Sequence, residues 1–264
     1  MPLIVTLLSD FGSASPYPAA MKAVLARRSG ATLIDISHDV PRHDVQAGAF
    51  LLYSAAPNFL AGTVHLAVVD PGVGTTRRPL IVVSGGQTFV GPDNGLLIPA
   101  ARRLGTPTAF EISDAAILGE GISSTFHGRD VFAPAAAVLT QGTPPSTIAL
   151  PVADVVNLDF GTGRRINDGL AGHVIYVDAF GNLVTNIPNA LLEGYRGPVE
   201  IRVGRRRGTG QVVRTYGDVK QTRIAVLAGS DGWVEIAIRE GHAATRFGAA
   251  AGTSVAVAPR VTRR

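Results

Sequence analysis

The chain has 264 residues, of which 46% are hydrophobic and 17% charged, and its mean hydropathy is +0.24. This composition is typical of a folded protein with a large core and excludes an intrinsically disordered one. No apolar run reaches the roughly 18 residues of a membrane-spanning helix, and the first ten residues lack a basic segment, so we expect a soluble, cytoplasmic protein without membrane contact. The absence of cysteine excludes disulfides, a thiolate nucleophile and thiolate-bound zinc.

The formal net charge of +4 raises the question of a nucleic-acid partner. The basic residues are densest in "GRRRG" (204 to 208) and in "RVTRR" at the end of the chain. Neither segment contains the aromatic side chains on which bases stack. We therefore interpret them as a solvated turn and a solvated tail, and expect no nucleic-acid partner.

Residues 1 to 165 are expected to form an α/β domain with a mostly parallel sheet, because short apolar runs alternate with helical patterns. Strands buried on both faces are predicted over 3 to 8, 31 to 37, 63 to 69, 79 to 84 and 108 to 112. The first helix carries Met21, Val24 and Leu25 on one face and ends at Gly30, and the second begins at Asp44 as its N-cap. Two more helices are predicted over 95 to 105 and after Asp130.

Residues 170 to 264 form a second predicted domain of a different kind. From Gly172 onward the sequence contains seven short apolar segments, which Gly-rich turns separate at hairpin distances. This pattern predicts an all-β domain, either a small barrel or a sandwich.

Ligands of open α/β sheets bind beyond the carboxyl ends of the strands, so the polar residues that follow each apolar run are candidate site residues. Six segments qualify, namely "SDFG" (9 to 12), "SHDVPRHD" (37 to 44), "DPGVGTTRR" (70 to 78), "PDNG" (92 to 95), "STFHGRD" (124 to 130) and "DAFGN" (178 to 182). Several of these residues have a purely structural interpretation as well. Asp10 is expected either to cap the helix that follows or to bind a ligand, and "PDNG" is expected to be a turn. We expect His38, His43 and His65 to be structural, since their spacing is not that of metal ligands.

The segment "DPGVGTTRR" is the most informative of the six. It places Asp70 at the end of a strand and Arg77 beyond a Gly-rich turn, and such turns bring backbone and side chains close to a small ligand. His127 is a possible third member, although its sequence position does not show that it joins them. The residues by themselves predict an α/β enzyme with a carboxylate, an arginine and a histidine in its site.

Eight segments resemble one known family in order and approximate spacing. They are "SDFG", "MKAVL", "DISHDVPRHDVQAGAFLL", "FLAGTVHLAVVDPGVGTTRRPLIV", "FVGPDNGLL", "STFHGRDVFAPAAA", "VDAFGNLVTNI" and "WVEIAI". The family is that of the S-adenosyl-L-methionine (SAM) hydroxide adenosyltransferases, which are relatives of the fluorinase and chlorinase enzymes. The resemblance covers nearly the whole chain.

The resemblance implies a metal-independent hydrolase that converts SAM to adenosine and L-methionine and uses no cofactor, SAM being its substrate. It further implies a cytoplasmic homotrimer with sites at the subunit interfaces. By motif, Asp70, Arg77 and His127 are the catalytic set that holds and activates the attacking water. The substrate-binding residues implied are Asp10 for the ribose, Asp178 and Asn182 near the methionine amine and the adenine, and Ser230 for the methionine carboxylate.

Within this resemblance, a neutral His127 is expected to take the proton of the water while Arg77 favours hydroxide character. Hydrolysis is favoured over halogenation because the fluorinase has a tyrosine and a serine in place of His127 and Gly128. The chain departs from the family at Ser15, where an acidic residue is usual, and at Asp231, where the fluorinase has an arginine. The alternatives are a SAM-dependent halogenase, a non-catalytic SAM or adenosine binding module, and, least favoured, a metal-dependent phosphoesterase.

Overall fold

The computed structural model describes residues 3–113 and 121–260. The chain divides into two compact units, Met1–Asp159 and Phe160–Arg264. Each unit is described by itself. Among the helices of the described residues, none is long and apolar enough to cross a membrane.

The first unit alternates strands and helices, as predicted. Its strands are β1 (Ile4–Ser9), β2 (Thr32–Ser37), β3 (Val64–Val68), β4 (Pro79–Ser84), β5 (Gln87–Pro92), β6 (Thr108–Ile112) and β7 (Ala149–Val152). Its helices are α1 (Pro16–Arg28), α2 (Val45–Ala55), α3 (Ile98–Leu104), α4 (Ala133–Thr140) and the short α5 (Pro145–Ile148). Helices α1 and α4 pack on one face of the sheet, where Met21, Leu25, Phe132 and Ala136 join the core.

The seven strands form one sheet in the order β2-β1-β3-β5-β4-β6-β7. Strands β2, β1, β3 and β5 pair in parallel, whereas β4 pairs antiparallel with β5 and β6, and β7 pairs antiparallel with β6. This arrangement confirms the α/β class with a mostly parallel sheet. It also places the carboxyl ends of β1, β2 and β3 at the same edge, where the candidate residues Asp10, Asp39 and Asp70 follow them.

Three strands of this unit differ from the prediction, and two of them, β5 and β7, were not predicted. Strand β5 follows β4 through Gly85 and Gly86, whose φ angles of +56° and +76° fit the tight turn of a two-residue hairpin. Strand β2 was predicted to be buried on both faces, but it is an edge strand whose Ile34 is 37% exposed. An apolar run alone does not distinguish an edge strand from a central one.

The helix boundaries mostly follow the predicted signals. Asp44 is the N-cap of α2, since its Oδ1 accepts a hydrogen bond of 2.9 Å from the Ala47 N–H. Helix α1 ends at Arg28, and Gly30 then adopts a φ of +63°. The helix predicted after Asp130 begins with a π-helical turn over Gly128–Phe132 before α4, and α3 begins three residues later than predicted because residues 93–95 form a turn.

The second unit is a closed barrel. Its strands are β8 (Arg164–Ile166), β9 (Gly169–Val177), β10 (Leu183–Pro188), β11 (Gly197–Val203), β12 (Arg206–Val212), β13 (Ile224–Ala228), β14 (Trp233–Ile238) and β15 (Ser254–Pro259), with the short helices α6 (Asn189–Leu192) and α7 (Ala243–Phe247). The order β10-β14-β13-β12-β11-β15-β9 closes because β9 also pairs with β10, and β8 adds to β9 outside the ring. The structure therefore selects the barrel over the sandwich. The barrel encloses a core of its own.

The segment "GRRRG" was predicted to be a turn, but only Gly204 and Arg205 turn. Arg206 and Arg207 already belong to β12, where they pair with Val203 and Arg202 of β11. Strand β12 accordingly begins at Arg206 and ends at Val212. Residues 261–264 of the predicted solvated tail lie outside the described residues.

Candidate active site

A turn after β3 sets the position of Arg77. Asp70 follows β3 by two residues, and the chain then turns through Gly72 and Gly74. Gly74 has a φ of +76°, and a Cβ at this position would lie 2.5 Å from the carbonyl oxygen of Ser124. Glycine is therefore required both by the backbone conformation and by the close approach of the segment that carries His127.

Asp70 and Arg77 form a buried ion pair. Arg77 Nε lies 2.9 Å from Asp70 Oδ1 and 3.0 Å from Oδ2, and Arg77 Nη2 also donates to Oδ2. The side chain of Arg77 is 9% exposed and that of Asp70 is 5% exposed, so water screens the ion pair little. The guanidinium carbon also lies 5.0 Å from the centre of the Phe132 ring, which adds a cation–π contact.

His127 is the third member of this cluster. Arg77 Nη2 lies 2.8 Å from His127 Nδ1. Because a guanidinium nitrogen only donates, Nδ1 accepts, and the neutral ring carries its proton on Nε2. Burial and the neighbouring positive charge of Arg77 lower the pKa of His127 below the ordinary histidine value, which keeps the ring neutral at pH 7.

Asp130 orders the segment that leads to His127, a role that the sequence did not indicate. Its carboxylate accepts a 3.0 Å hydrogen bond from the Ser123 N–H and two hydrogen bonds from Arg129. The hydrogen bond from Arg129 is the main cause of the lowered pKa of Asp130. A carboxylate three residues after a histidine gives no sequence signal for this role, because the bond reaches back seven residues.

Asp10 lies in the same unit, on the cleft that Asp70 also lines. This open cleft of about 660 Å³ is bordered by Asp10, Tyr17, His43, Asp70 and Val73 among others. Asp10 does not cap α1, whose N-cap is Ser15. Its Oδ2 instead accepts a 2.9 Å hydrogen bond from the backbone N–H of His43, a residue with a φ of +64°.

Two other histidines of this unit, His38 and His65, serve the fold, whereas His43 is exposed on the cleft. His38 is buried and hydrogen-bonds to Ser9 Oγ at 2.7 Å and Asp35 Oδ1 at 3.2 Å. His65 is fully buried between Thr6 Oγ1 and Gln87 Oε1. In the described parts of the chain no group of three or more His, Cys, Asp or Glu side chains is arranged to hold a metal ion.

Arg78, although adjacent to Arg77, belongs to a different contact. It donates to Asp93 Oδ2 over 2.9 Å, while the other oxygen of Asp93 accepts from the Val156 N–H at 2.8 Å. The "PDNG" segment is the turn that was predicted, and its Asp93 is a buried anchor for the segment after β7. Arg78 thus has a structural contact of its own, in which it binds the Asp93 side chain that holds the segment after β7.

In the barrel, Asp178 and Asn182 lie together in the loop between β9 and β10. Asp178 Oδ1 accepts from the N–H groups of Phe180 and Asn182 at 2.9 Å and 2.8 Å, and Oδ2 accepts from Asn182 Nδ2 at 2.9 Å. This loop borders a cleft of about 380 Å³ together with the exposed Phe180 ring and Tyr216.

A second pair near this loop was not found from the sequence. Tyr216 Oη donates to Glu235 Oε1 over 2.7 Å. Burial raises the pKa of Glu235, with smaller contributions from the charges of Asp178 and Asp231, and burial likewise raises the pKa of Tyr216. The two residues are 19 positions apart, and only the pairing of the barrel strands brings them together.

Ser230 lies away from these residues. It occupies the turn between β13 and β14 and is exposed. Strands β10 and β14 pair antiparallel with Leu183 opposite Ile236 and Pro188 opposite Trp233, so Ser230 and Asn182 lie at opposite ends of this strand pair. Within the barrel, the structure brings Asp178 and Asn182 together but not Ser230.

The comparison with family models identifies both units. The model of the SAM hydroxide adenosyltransferase N-terminal domain matches residues 5–149, and that of the C-terminal domain matches residues 172–256. The chain belongs to the SAM hydroxide adenosyltransferase family. The resemblance drawn from the sequence motifs is thereby confirmed.

Curated members of the family are similar over nearly their whole length. The chain is 40% identical to an (R)-S-adenosyl-L-methionine hydrolase of Salinispora tropica over 96% of this chain and 97% of that protein. It is 39% identical to a protein of the same name from Thermus thermophilus, over 95% and 98%. A fluorinase of Nocardia brasiliensis is more distant, at 27% identity over 72% of this chain and 73% of that enzyme.

Solved structures include a similar protein of Thermotoga maritima, described as an uncharacterized conserved protein. It aligns with a TM-score of 0.91 and 34% identity, over 97% of this chain and 100% of that one. A conserved hypothetical protein of Thermus thermophilus aligns with a TM-score of 0.79 and 37% identity. Each of these two alignments covers 97% of this SAM hydroxide adenosyltransferase and 100% of the solved chain.

Proposed function

We propose that this protein hydrolyses SAM to adenosine and L-methionine. The observation that carries the proposal is the buried contact of Asp70, Arg77 and His127 in a chain that is 40% identical to a curated (R)-SAM hydrolase. In the reaction, an oxygen–carbon bond forms at the 5′ carbon, the carbon–sulfur bond breaks, and one proton is released.

The leaving group decides what the protein must supply. A sulfonium leaves as a neutral thioether, so no negative charge develops on it and no general acid has to protonate it. The weak partner is water, which must be held in line with the carbon–sulfur bond and must lose a proton. Positioning alone is worth effective molarities of about 10⁵ M or more in well-oriented systems.

Arg77 is the residue that we assign to the attacking oxygen. Asp70 and His127 engage its Nε and Nη2, and its buried Nη1 has no hydrogen-bond partner among the described residues. This nitrogen is therefore the available donor of a fixed, charged group. A donor of this kind stabilises the negative charge that builds on the oxygen as its proton leaves.

The contacts of His127 favour a role different from that of a proton acceptor. Its Nδ1 lone pair accepts from Arg77 and its Nε2 carries the proton, so the ring has no free lone pair. We assign His127 to holding Arg77 and to donating from Nε2. The proton of the attacking water passes to solvent as the oxygen–carbon bond forms, so that negative rather than positive charge builds on the oxygen beside Arg77.

Substrate binding is assigned to four further residues. The His43 N–H bonds to Oδ2 of Asp10, which leaves Oδ1 to accept a hydrogen bond from a ribose hydroxyl group. Asp10 and Asp70 line the same cleft. Asp178 and Asn182 are assigned to the methionine amine and the adenine. Ser230 is assigned to the methionine carboxylate, on the family motif alone, since it lies at the far end of β10 and β14.

The remaining parts of the proposal concern the assembly and the setting of the reaction. We propose a homotrimer with its sites at subunit interfaces, in the cytoplasm, with SAM as substrate and without a cofactor. Light scattering of the purified chain tests the trimer, and fractionation of the cells that produce it tests the compartment.

The test of the function is a product analysis. The purified protein is incubated with SAM in halide-free buffer that contains a chelator, and the products are separated by chromatography. We expect adenosine and methionine in equal amounts, at a rate that added chloride does not change. A 5′-halogenated adenosine that forms only with halide would show a halogenase, and intact SAM would show a binding module.

A further inference from the structure

The outer face of the barrel carries a groove lined by arginines. In β11, Arg202 points outward between the buried Ile201 and Val203. Arg207 of β12 lies directly opposite Arg202, while β15 places the small Ala256 beside it. The result is a groove of about 640 Å³ that is lined by small side chains on β15 and by arginines on the neighbouring strands. We name it the arginine groove.

Two more arginines extend this groove. Arg246 of α7 lines it together with Arg202 and Arg207. A second depression, of about 530 Å³, shares Arg246 and Thr209 with the first and adds Arg223. Four guanidinium groups thus follow one continuous path over the surface of the barrel.

The four guanidinium groups have no partner within the part of the chain that the structure describes. Arg202, Arg207, Arg223 and Arg246 make no side-chain hydrogen bond or ion pair with any residue in 3–113 or 121–260. The neighbouring Arg206 is different, because its Nη1 donates to the carbonyl oxygen of Arg246 at the end of α7. The arginine groove therefore consists of donors that the fold itself does not use.

The position of Arg202 opposite Arg207 destabilises the sheet. Like charges directly opposite each other on adjacent strands, as Arg202 and Arg207 are, repel. Glu200 is the one carboxylate that lines the described groove, so the repulsion is only partly offset. The charge of the chain is also segregated, with 15 basic and 8 acidic residues from Phe160 onward and 9 basic and 12 acidic before it.

We propose that the arginine groove binds a chain of phosphate groups. Guanidinium groups match phosphate oxygens with paired donors, and a row of them matches a row of anions. The lining residues include no Phe, Tyr or Trp, and the one ring among them is the imidazole of His242, so recognition is mainly of the phosphates. This replaces the interpretation of "GRRRG" as merely a solvated turn.

Two sources supply such a chain, the backbone of a nucleic acid and free polyphosphate. The experiment measures the fluorescence anisotropy of a labelled single-stranded oligothymidylate with the full-length protein at several salt concentrations. Unlabelled inorganic polyphosphate is titrated in a parallel arm, against the labelled protein. The variant Arg202→Gln/Arg207→Gln removes the two facing charges.

We expect the variant to lose about tenfold in affinity at low salt. The slope of log affinity against log salt should fall by about 1.4 for the oligonucleotide, since each phosphate contact on a single strand contributes about 0.7. Binding in only one arm, with this loss, supports the groove and names the source of the phosphates.

The matched control is Arg164→Gln/Arg196→Gln, which removes the same charge from exposed positions of the same unit outside the groove. It should bind like the unmodified protein. Both variants should keep the melting temperature, which shows that they fold. Absence of binding in both arms, or an equal loss in both variants, would overturn the proposal. The outcome does not depend on whether the protein cleaves SAM.

Discussion

The two units hold their candidate site residues in opposite ways. In the α/β unit, Asp70 and Arg77 come from one segment and His127 from another, 50 positions from Arg77, yet Arg77 contacts both other side chains directly in a buried place. In the barrel, Asp178 and Asn182 lie in one loop, and the loop's own N–H groups satisfy the carboxylate. The first cluster depends on the whole fold and the second on local geometry, so substitutions should affect them unequally.

The largest effect is expected from Arg77→Gln. It removes the fork that contacts both Asp70 and His127 and leaves a buried carboxylate unpaired, which costs about 3–5 kcal/mol of stability in comparable pairs. Loss of the charged donor should lower the rate of adenosine formation by a factor of about 10³. The rate is measured by chromatography and the stability by thermal unfolding.

Arg78→Gln is the matched control, because Arg78 is the neighbouring arginine and pairs with Asp93 instead. It should destabilise the unit while retaining most of the rate per folded molecule. An Arg77→Gln variant that keeps the unmodified rate would show that the buried cluster is structural only.

His127→Ala ranks second, with a loss of about 10²-fold in rate, because it removes a positioned hydrogen-bond donor and the contact that holds Arg77. Because the pKa of His127 is lowered, the ring stays neutral to a lower pH than an ordinary histidine does. Protonation of the ring at still lower pH breaks the hydrogen bond from Arg77. We therefore expect a rate that is flat from pH 7 upward and falls only below about pH 6.5. A rate that stays constant as the pH falls well below 6.5 would show that the neutral ring, and with it the hydrogen bond from Arg77, is not needed.

His65 offers a test in the same unit that is independent of activity. Burial lowers its pKa to about 4, so as the pH falls the unfolded chain takes up the proton first. The free energy of unfolding should not change on this account above pH 7 and should fall by about 3 kcal/mol between pH 6.5 and 4.

Urea unfolding at several pH values measures this effect as a difference from His65→Gln, which cannot titrate. The difference between the two proteins should shrink as the pH falls. A constant difference would show that His65 takes up its proton in the folded state as readily as in the unfolded one.

In the barrel, Tyr216→Phe should have a smaller effect. It removes the hydrogen bond to the buried Glu235 and should cost about 1 kcal/mol, because the carboxyl group, whose pKa is already raised, accepts a proton readily. A double-mutant cycle with Glu235→Gln measures the coupling. A cost as large as that of Arg77→Gln would contradict the contrast between the units.

Ser230→Ala should have the smallest effect, below about 0.5 kcal/mol in stability, because Ser230 is an exposed turn residue. Because Ser230 is assigned to the methionine carboxylate, Ser230→Ala should still raise the KM for SAM, but less than Asp178→Asn, since it removes a neutral hydroxyl group and the other variant removes a charge. An unchanged KM in Ser230→Ala would contradict the assignment of Ser230.

The sequence predicted the class of both units and the pairing of Asp70 with Arg77, because periodicity and the Gly-rich turn are local signals. It missed β5, although Gly85 and Gly86 mark its hairpin, because a hairpin with the antiparallel β4 was not expected within a mostly parallel sheet. The contact of His127 and the pair of Tyr216 with Glu235 depend on tertiary packing and strand register, which leave no spacing signal. The salt-bridged Asp130 was seen only as a helix start for the same reason.

The most direct test of the central claim follows the oxygen atom. The protein is incubated with SAM in water enriched in heavy oxygen (¹⁸O), and the products are analysed by mass spectrometry. Attack of water at the 5′ carbon predicts one heavy oxygen in the 5′-hydroxyl group of adenosine and none in methionine. Adenosine without the label, or SAM consumed only when halide is present, would contradict the account.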